Sequence, residues 1–314
     1  MLNHLVNGEF MKYNESKQSK NLMKLNNDYI ELFNKTNSCF WKKRNLKKLN
    51  YRIIINKIIY GYYFKDKLNN RNKLKTFKTN PIIEEKREVD TNDRIAIYTV
   101  IIGDYDSLKE PLYISDQCDY YVITDKMRSK KTCWKTIDIN KFDNLKSFSN
   151  TKKARYAKTH PEIFFKDYKY TIFVDGNIQI ISDLIPLIEK MGHHVFATHL
   201  HPLNNCIYEE GRDIITFRKA TKYEVNRQLN YYKKMGFPKR FGLFETNVLV
   251  REHNNDECKN IDRQWWSEME KFSLRDQLSL TYVLWNNKYK FSWIGILGNN
   301  PRTNPRIRYL PHKE

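Results

Sequence analysis

The chain has 314 residues, with 56 Lys and Arg against 36 Asp and Glu and a formal net charge of +20. An apolar fraction of 40%, aromatics at 14%, and only 10 Gly and 9 Pro exclude a collagen-like or low-complexity chain, and leave room for one large core or two modest ones. The charge invites anionic partners such as nucleic acid, acidic lipid headgroups or phosphorylated substrates, although a Lys- and Asn-rich coding bias would leave the same excess.

Residues 1–90 hold 20 Lys and Arg and 9 Asp and Glu, more than half of the net charge. They are expected to form a basic, helical appendage and linker, with the main domain at 91–314. Lys42, Lys43, Arg44, Lys47 and Lys48 stand beside Phe40 and Trp41, and Ile53, Ile54, Ile55, Ile58, Ile59 and Tyr60 follow. A basic face beside an apolar one suits residues 40–64 to an anionic membrane surface, or to packing on the main domain with the lysines in water. Met1–Phe10 has no apolar run of signal-peptide length. No run reaches the ~18 apolar residues of a membrane span, and Lys57 interrupts the nearest, Ile53–Phe64. Cys39, Cys118, Cys133, Cys206 and Cys258 are scattered without a C-x-x-C pair. That speaks against a zinc site or disulfide framework and for a reducing compartment. A cytoplasmic chain, able to rest on the inner face of a membrane, is expected.

The main domain opens at Arg94. Ile95–Ile102 reads as a strand of the continuously apolar kind buried in parallel sheets, ending in Gly103-Asp104-Tyr105-Asp106. Asp119–Thr124 is a second strand, ending at Asp125. Ser149–Thr159 is predicted helical, with Arg155 and Lys158 three apart on one face and His160-Pro161 breaking it. Tyr168–Val174 is β-branched and aromatic, suits a buried strand, and stops at Asp175-Gly176-Asn177. A helix over Leu184–Met191 and a strand at His194–Thr198 lead to His199-Leu200-His201-Pro202, two histidines not expected to share one metal unless the backbone turns. The adjacent Glu209 and Glu210 are expected in solvent. Lys222–Met235 reads as a helix, Val248–Arg251 as a strand entered from Glu245-Thr246-Asn247, and Trp265-Trp266 as the start of another helix. A last helix opens at Ser273–Gln277, with Ser273 as cap and Asp276 at its positive end. The tail from Asn299 is read as irregular and basic.

In open α/β sheets ligands bind at the carboxyl ends of the strands. Asp175 and Asn177 are hard oxygen ligands at such an end; they suit Mg²⁺ or Mn²⁺, and with it a diphosphate. They also suit a plain turn. The turn at Gly103, Asp104 and Tyr105 could hold a base or ribose.

Taken together, Tyr98–Asp106, Asp119–Asp125, Arg155–Glu162, Val174–Asn177, His199–Pro202, Cys206–Glu210, Glu245–Arg251 and Arg275–Leu280 resemble, in order, a glycosyltransferase-like family of bacteria and plants that includes plant mucilage-related and turgor-regulation proteins. The resemblance spans about residues 94–295 and leaves residues 1–90 outside. It implies a GT-A-like, Rossmann-type α/β fold: a mixed, mainly parallel sheet flanked by helices. It also implies transfer of a sugar from a nucleotide-sugar donor to a glycan or lipid-linked acceptor, as in surface polysaccharide synthesis. GT-A enzymes carry Asp-x-Asp at a strand end for Mn²⁺ or Mg²⁺. Asn177 in the second position removes one charge and weakens that site.

On this reading the donor site comprises Gly103, Asp104, Tyr105, Asp125, Arg155, Lys158, Asp175, Gly176 and Asn177, with Asp175 and Asn177 as metal ligands. Arg251 is a further cation for the leaving diphosphate. Asp276 or Glu245 is the candidate general base, and His199 a further catalytic candidate. His201, Glu209 and Asn247 are expected on the acceptor side. A hydrolase using the same carboxylates with water as acceptor is an alternative. So is a binder of nucleic acid or anionic surfaces, although no nucleic-acid motif appears and none is expected as a specific partner.

Overall fold

The structure, a computed structural model, describes residues 86–126, 132–310 and 312. The expected appendage at 1–90 and the membrane-facing stretch at 40–64 therefore lie almost wholly outside the described residues. Among the described residues, no helix is long and apolar enough to cross a membrane.

Among the described residues there are nine strands, interspersed with helices. They are β1 (Ile95–Ile101), β2 (Cys118–Thr124), β3 (Lys135–Asp138), β4 (Tyr170–Val174), β5 (Ile178–Ile180), β6 (Phe196–Leu200), β7 (Phe244–Arg251), β8 (Gly295–Gly298) and β9 (Ile307–Tyr309). Seven form one sheet in the order β3-β2-β1-β4-β7-β6-β8, and β5 pairs with β9 apart from it. Within the large sheet β7 alone runs against its neighbours β4 and β6; the other pairings are parallel. This is a mixed, mainly parallel α/β sheet, as expected. The reversed strand decides where the site forms, because it brings the amino end of β7 to the rim that carries the carboxyl ends of its neighbours. Val174 pairs with Val248, so Asp175 comes to lie opposite Asn247 and donates its backbone N–H to the Asn247 carbonyl at 2.9 Å.

Both faces of the central strands β1 and β4 are buried, which is why those two are apolar at nearly every position. Tyr98, Phe173, Phe196 and Leu249 face helices α6 (Asp256–Lys271) and α7 (Asp276–Asn286) through Ile261, Trp265, Leu280 and Val283. Ile97, Ile172, Val248 and Val250 face Leu187 and Ile188 of α3 (Ile185–Glu189). A third cluster joins α4 (Ile207–Thr216), α5 (Lys222–Lys234) and α7, with Tyr232 stacked on Tyr282 at 3.7 Å between centroids.

Several expected boundaries move. Trp265 and Trp266 lie well inside α6, which starts nine residues before Trp265 at Asp256, because the Asn255 carboxamide caps it by accepting from Glu257 and Cys258 N–H. Ser273 does not cap α7; Arg275 is the cap residue, and the Ser273 hydroxyl donates to Gln228 Oε1 at 2.6 Å. The strand expected at His194–Thr198 is β6, displaced toward the rim. Glu245, Thr246 and Asn247 belong to β7 itself. The tail is not wholly irregular: Ile307–Tyr309 returns as β9 against β5.

Candidate active site

The rim is built around Asp175. Helix α1 (Asn150–Thr159), capped by Ser149 accepting from Lys152 N–H, places Arg155 and Lys158 one turn apart, as their spacing predicts. Both reach Asp276 at the start of α7: Lys158 Nζ is 2.6 Å and Arg155 Nη1 3.1 Å from its Oδ2, and the Thr246 hydroxyl donates to the same oxygen at 2.9 Å. Lys158 is 1% exposed and Asp276 3%. These cations hold the Asp276 carboxyl far below the usual carboxylate range, although burial opposes them. Such a group is a locked anion and a poor proton acceptor. Lys158 Nζ is also 3.7 Å from Asp175 Oδ1. The Asp175 side chain keeps 36% exposure, so it is the open end of this chain of charges.

Donor-side residues predicted from the β1 and β2 ends do meet. Gly103 N–H donates to the Asp125 carboxylate at 3.1 Å, and Asp104 pairs with Lys126. Gly103 takes φ +68°, and a Cβ there would fall 2.3 Å from Asn150 Nδ2, so any other residue would strain the turn and displace the Asn150 amide. Tyr105 is 67% exposed, an aromatic face free to stack. A residue that local sequence does not flag joins them. His312 Nδ1 donates to the Asp106 carboxylate at 2.8 Å, its Nε2 lies 3.4 Å from Asn177 Nδ2, and its ring is 5.1 Å from that of Tyr105. The Asp106 carboxylate raises the His312 pKa. Gly176 packs on the same carboxylate, with an added Cβ predicted 2.9 Å from Asp106 Oδ2.

Across β7, a second cluster forms around Glu245. His201 Nδ1 accepts N–H bonds from Leu203 and Asn204, so its Nε2 carries the proton, and that atom stands 3.4 Å from both Glu210 Oε2 and Glu245 Oε2. The Asn204 amide donates to Glu210 and Asp213 at 2.6 and 2.8 Å. Glu210, expected in solvent, is 4% exposed, because α4 turns it inward while Glu209 stays half-buried at the helix start. Burial and the Glu210 charge raise the Glu245 pKa to about 7, and burial raises Asp213 to about 7. Asn247 donates to Glu245 Oε1 at 3.1 Å, and its own Oδ1 is buried with no partner among the described residues, an acceptor awaiting a donor.

Two candidates stand apart. His199 is 1% exposed and bonds Asn304 through Nε2 at 3.0 Å, not the carboxylates that His201 meets. A register shift between Thr198 and His199 and the end of β6 at Leu200 separate the pair. Arg251 cannot reach a diphosphate. It is wholly buried, held by Asp262 at 2.9 and 3.1 Å, Tyr98 Oη and the Lys158 carbonyl.

Among the described residues no three His, Cys, Asp or Glu side chains converge as a metal centre. Mg²⁺ and Mn²⁺ need only one or two protein oxygens when phosphates and water complete the shell. The Asp175 carboxylate and the Asn177 amide oxygen fit that lesser demand.

The sheet order meets the expectation of a mixed, mainly parallel sheet that the eight motifs raised. A family model described as TOD1/MUCI70, glycosyltransferase-like domain, matches residues 50–297. The chain belongs to this family. The TOD1/MUCI70 match begins at residue 50, so it takes in residues 50–90, a stretch expected to stand outside the resemblance. A curated relative, "Probable hexosyltransferase MUCI70" of Arabidopsis thaliana, is 21% identical over 231 residues, 63% of this chain. The aligned part is 38% of that relative's length. The solved apo structure of the bifunctional glycosyltransferase WbbM aligns over 67% of this chain and 40% of its own, at 14% identity and a TM-score of 0.41.

Proposed function

We propose that this TOD1/MUCI70 domain transfers a sugar from a nucleotide-sugar donor to a hydroxyl of a glycan or lipid-linked acceptor, in surface polysaccharide synthesis at the inner face of a membrane. One observation carries the reading: a partly exposed carboxylate, Asp175, shares a strand-end rim with a carboxylate poised near neutrality, Glu245, and Asn247 joins them.

The donor would lie along the rim, its base against Tyr105, its ribose near Asp104 and Asp125, and its diphosphate toward Asp175 and Asn177. The two cations at the tip, Arg155 and Lys158, already face the two carboxylates Asp276 and Asp175. An entering diphosphate therefore needs further positive charge, which Mn²⁺ or Mg²⁺ on Asp175 and Asn177 would supply by neutralising the leaving group. As the acceptor oxygen bonds to the anomeric carbon, the bond from that carbon to the diphosphate oxygen breaks, and the hydroxyl proton passes to Glu245. A carboxylate with a pKa of about 7 is suited to that step. Asp276, locked by its cations, is better suited to holding Lys158 in place. His201 keeps Glu245 aimed, while Asn247 and Glu209 face the acceptor side.

The test is turnover of a panel of sugar nucleotides, with candidate glycan acceptors and with Mn²⁺ or Mg²⁺. Release of nucleoside diphosphate that depends on acceptor, and that Asp175→Ala abolishes while the melting temperature holds, is the expected result. Release of free sugar at the same rate with or without acceptor would assign a hydrolase instead. Full activity in Asp175→Ala would remove this site from the chemistry.

A further inference from the structure

Beside the edge strand β8, a cleft of about 540 Å³ runs between α3 and the segment that leads into β9. Its walls include Lys86, Glu189, Lys190, His199, Thr303 and Arg306. That volume is within the usual range for small-molecule sites.

Its charges are unbalanced. Glu189 lies 3.7 Å from Lys86. Lys190 Nζ donates to the Leu297 carbonyl at 2.7 Å, and Arg306 Nη1 to the Asp183 carbonyl at 2.7 Å. Carbonyls orient these two cations without neutralising them, and neither has a carboxylate partner among the described residues.

His199 also lines the cleft. Asn304 Oδ1 accepts from Arg306 N–H at 3.0 Å, so its Nδ2 faces His199 Nε2 at 3.0 Å as donor. That leaves the proton of the neutral ring on Nδ1, and Nδ1 is buried with no partner. Burial, with Lys190 beside it, lowers the His199 pKa to about 3, so the ring stays a neutral donor. Buried donors without acceptors are rare and costly in native proteins. Two cations and a wall carrying the Thr303 hydroxyl and the Asn299 and Asn300 amides are the complement of an oxyanion carried on a polyhydroxylated body.

We propose that this cleft is a second ligand site, separate from the Asp175 rim, which binds a saccharide bearing a phosphate or a carboxylate. The proposal does not depend on what Asp175 does. Thermal stabilisation at constant ionic strength tests it on the full chain, with glucose 6-phosphate, glucuronate, inorganic phosphate and uncharged glucose as probes. Wild type and Asp175→Asn should be stabilised equally by at least one charged sugar and not by glucose. Glucose 6-phosphate against glucuronate tells a phosphate site from a carboxylate site. Lys190→Gln and Arg306→Gln should each weaken that response at least about tenfold, the loss of one charge-assisted contact. Should Lys190→Gln melt too early to read, Lys190→Arg keeps the charge and should keep the response. A wild type that no charged probe stabilises, a response lost in Asp175→Asn, or an unchanged response in Arg306→Gln would each overturn the proposal.

Discussion

Asp276 and Glu245 show how burial alone does not decide the protonation of a carboxylate. Both are enclosed, but Asp276 contacts two cations while Glu245 shares His201 with another carboxylate. The first stays ionised at any ordinary pH, and the second titrates at about 7. Activity should therefore rise with pH through about 7 as Glu245 loses its proton. Glu210→Gln removes the charge that helps hold that proton, so the acid limb of kcat/KM should move to lower pH. Glu245→Gln should cost roughly 10²–10⁴-fold in kcat without moving the melting temperature by more than a few degrees. A limb that stays in place in Glu210→Gln would remove Glu245 as its source. At this scale, the Arg155–Lys158 pair was legible because one helical turn dictates it. His312 was not, since it meets Asp106 across 206 residues and no local pattern announces such a contact.

Element by element, the strands were the readable part. β1 and β4 are apolar at nearly every position because they are covered on both faces, and the carboxylates fall where the apolar run stops. The reversal of β7 could not be read, since an apolar strand looks alike in either direction; yet it places Glu245 and Asn247 at the rim. Arg251, on the same strand, was open to misreading as a ligand for phosphate because sequence records charge and not depth. In the structure it ties β7 to α6 through Asp262. Arg251→Met should strand a buried carboxylate and cost about 3–5 kcal/mol by urea unfolding, and Arg251→Met with Asp262→Leu should recover much of it. A neutral single variant would contradict that role. At the turn after β4, Gly176→Ala drives a methyl against Asp106 and Ile101. About 1–3 kcal/mol of overpacking is expected there, with a raised KM for the donor as Asp106 and His312 shift; an unchanged KM would detach that pair from donor binding.

For the whole molecule, the net charge of +20 is weighted toward residues 1–90. Around Asp175, by contrast, cations and carboxylates are matched, and that balance is why a charged donor should depend on a divalent ion there. The central claim is that this rim binds a nucleotide-sugar. The most direct measurement is the binding of a panel of sugar nucleotides by calorimetry, with and without Mn²⁺, to wild type and to Asp175→Asn. At least one sugar nucleotide should bind wild type with Mn²⁺ present, at least about tenfold more weakly without it, and should lose the same factor in Asp175→Asn. Binding of that donor with equal affinity to wild type and Asp175→Asn, or no binding of any sugar nucleotide to wild type, would contradict the claim.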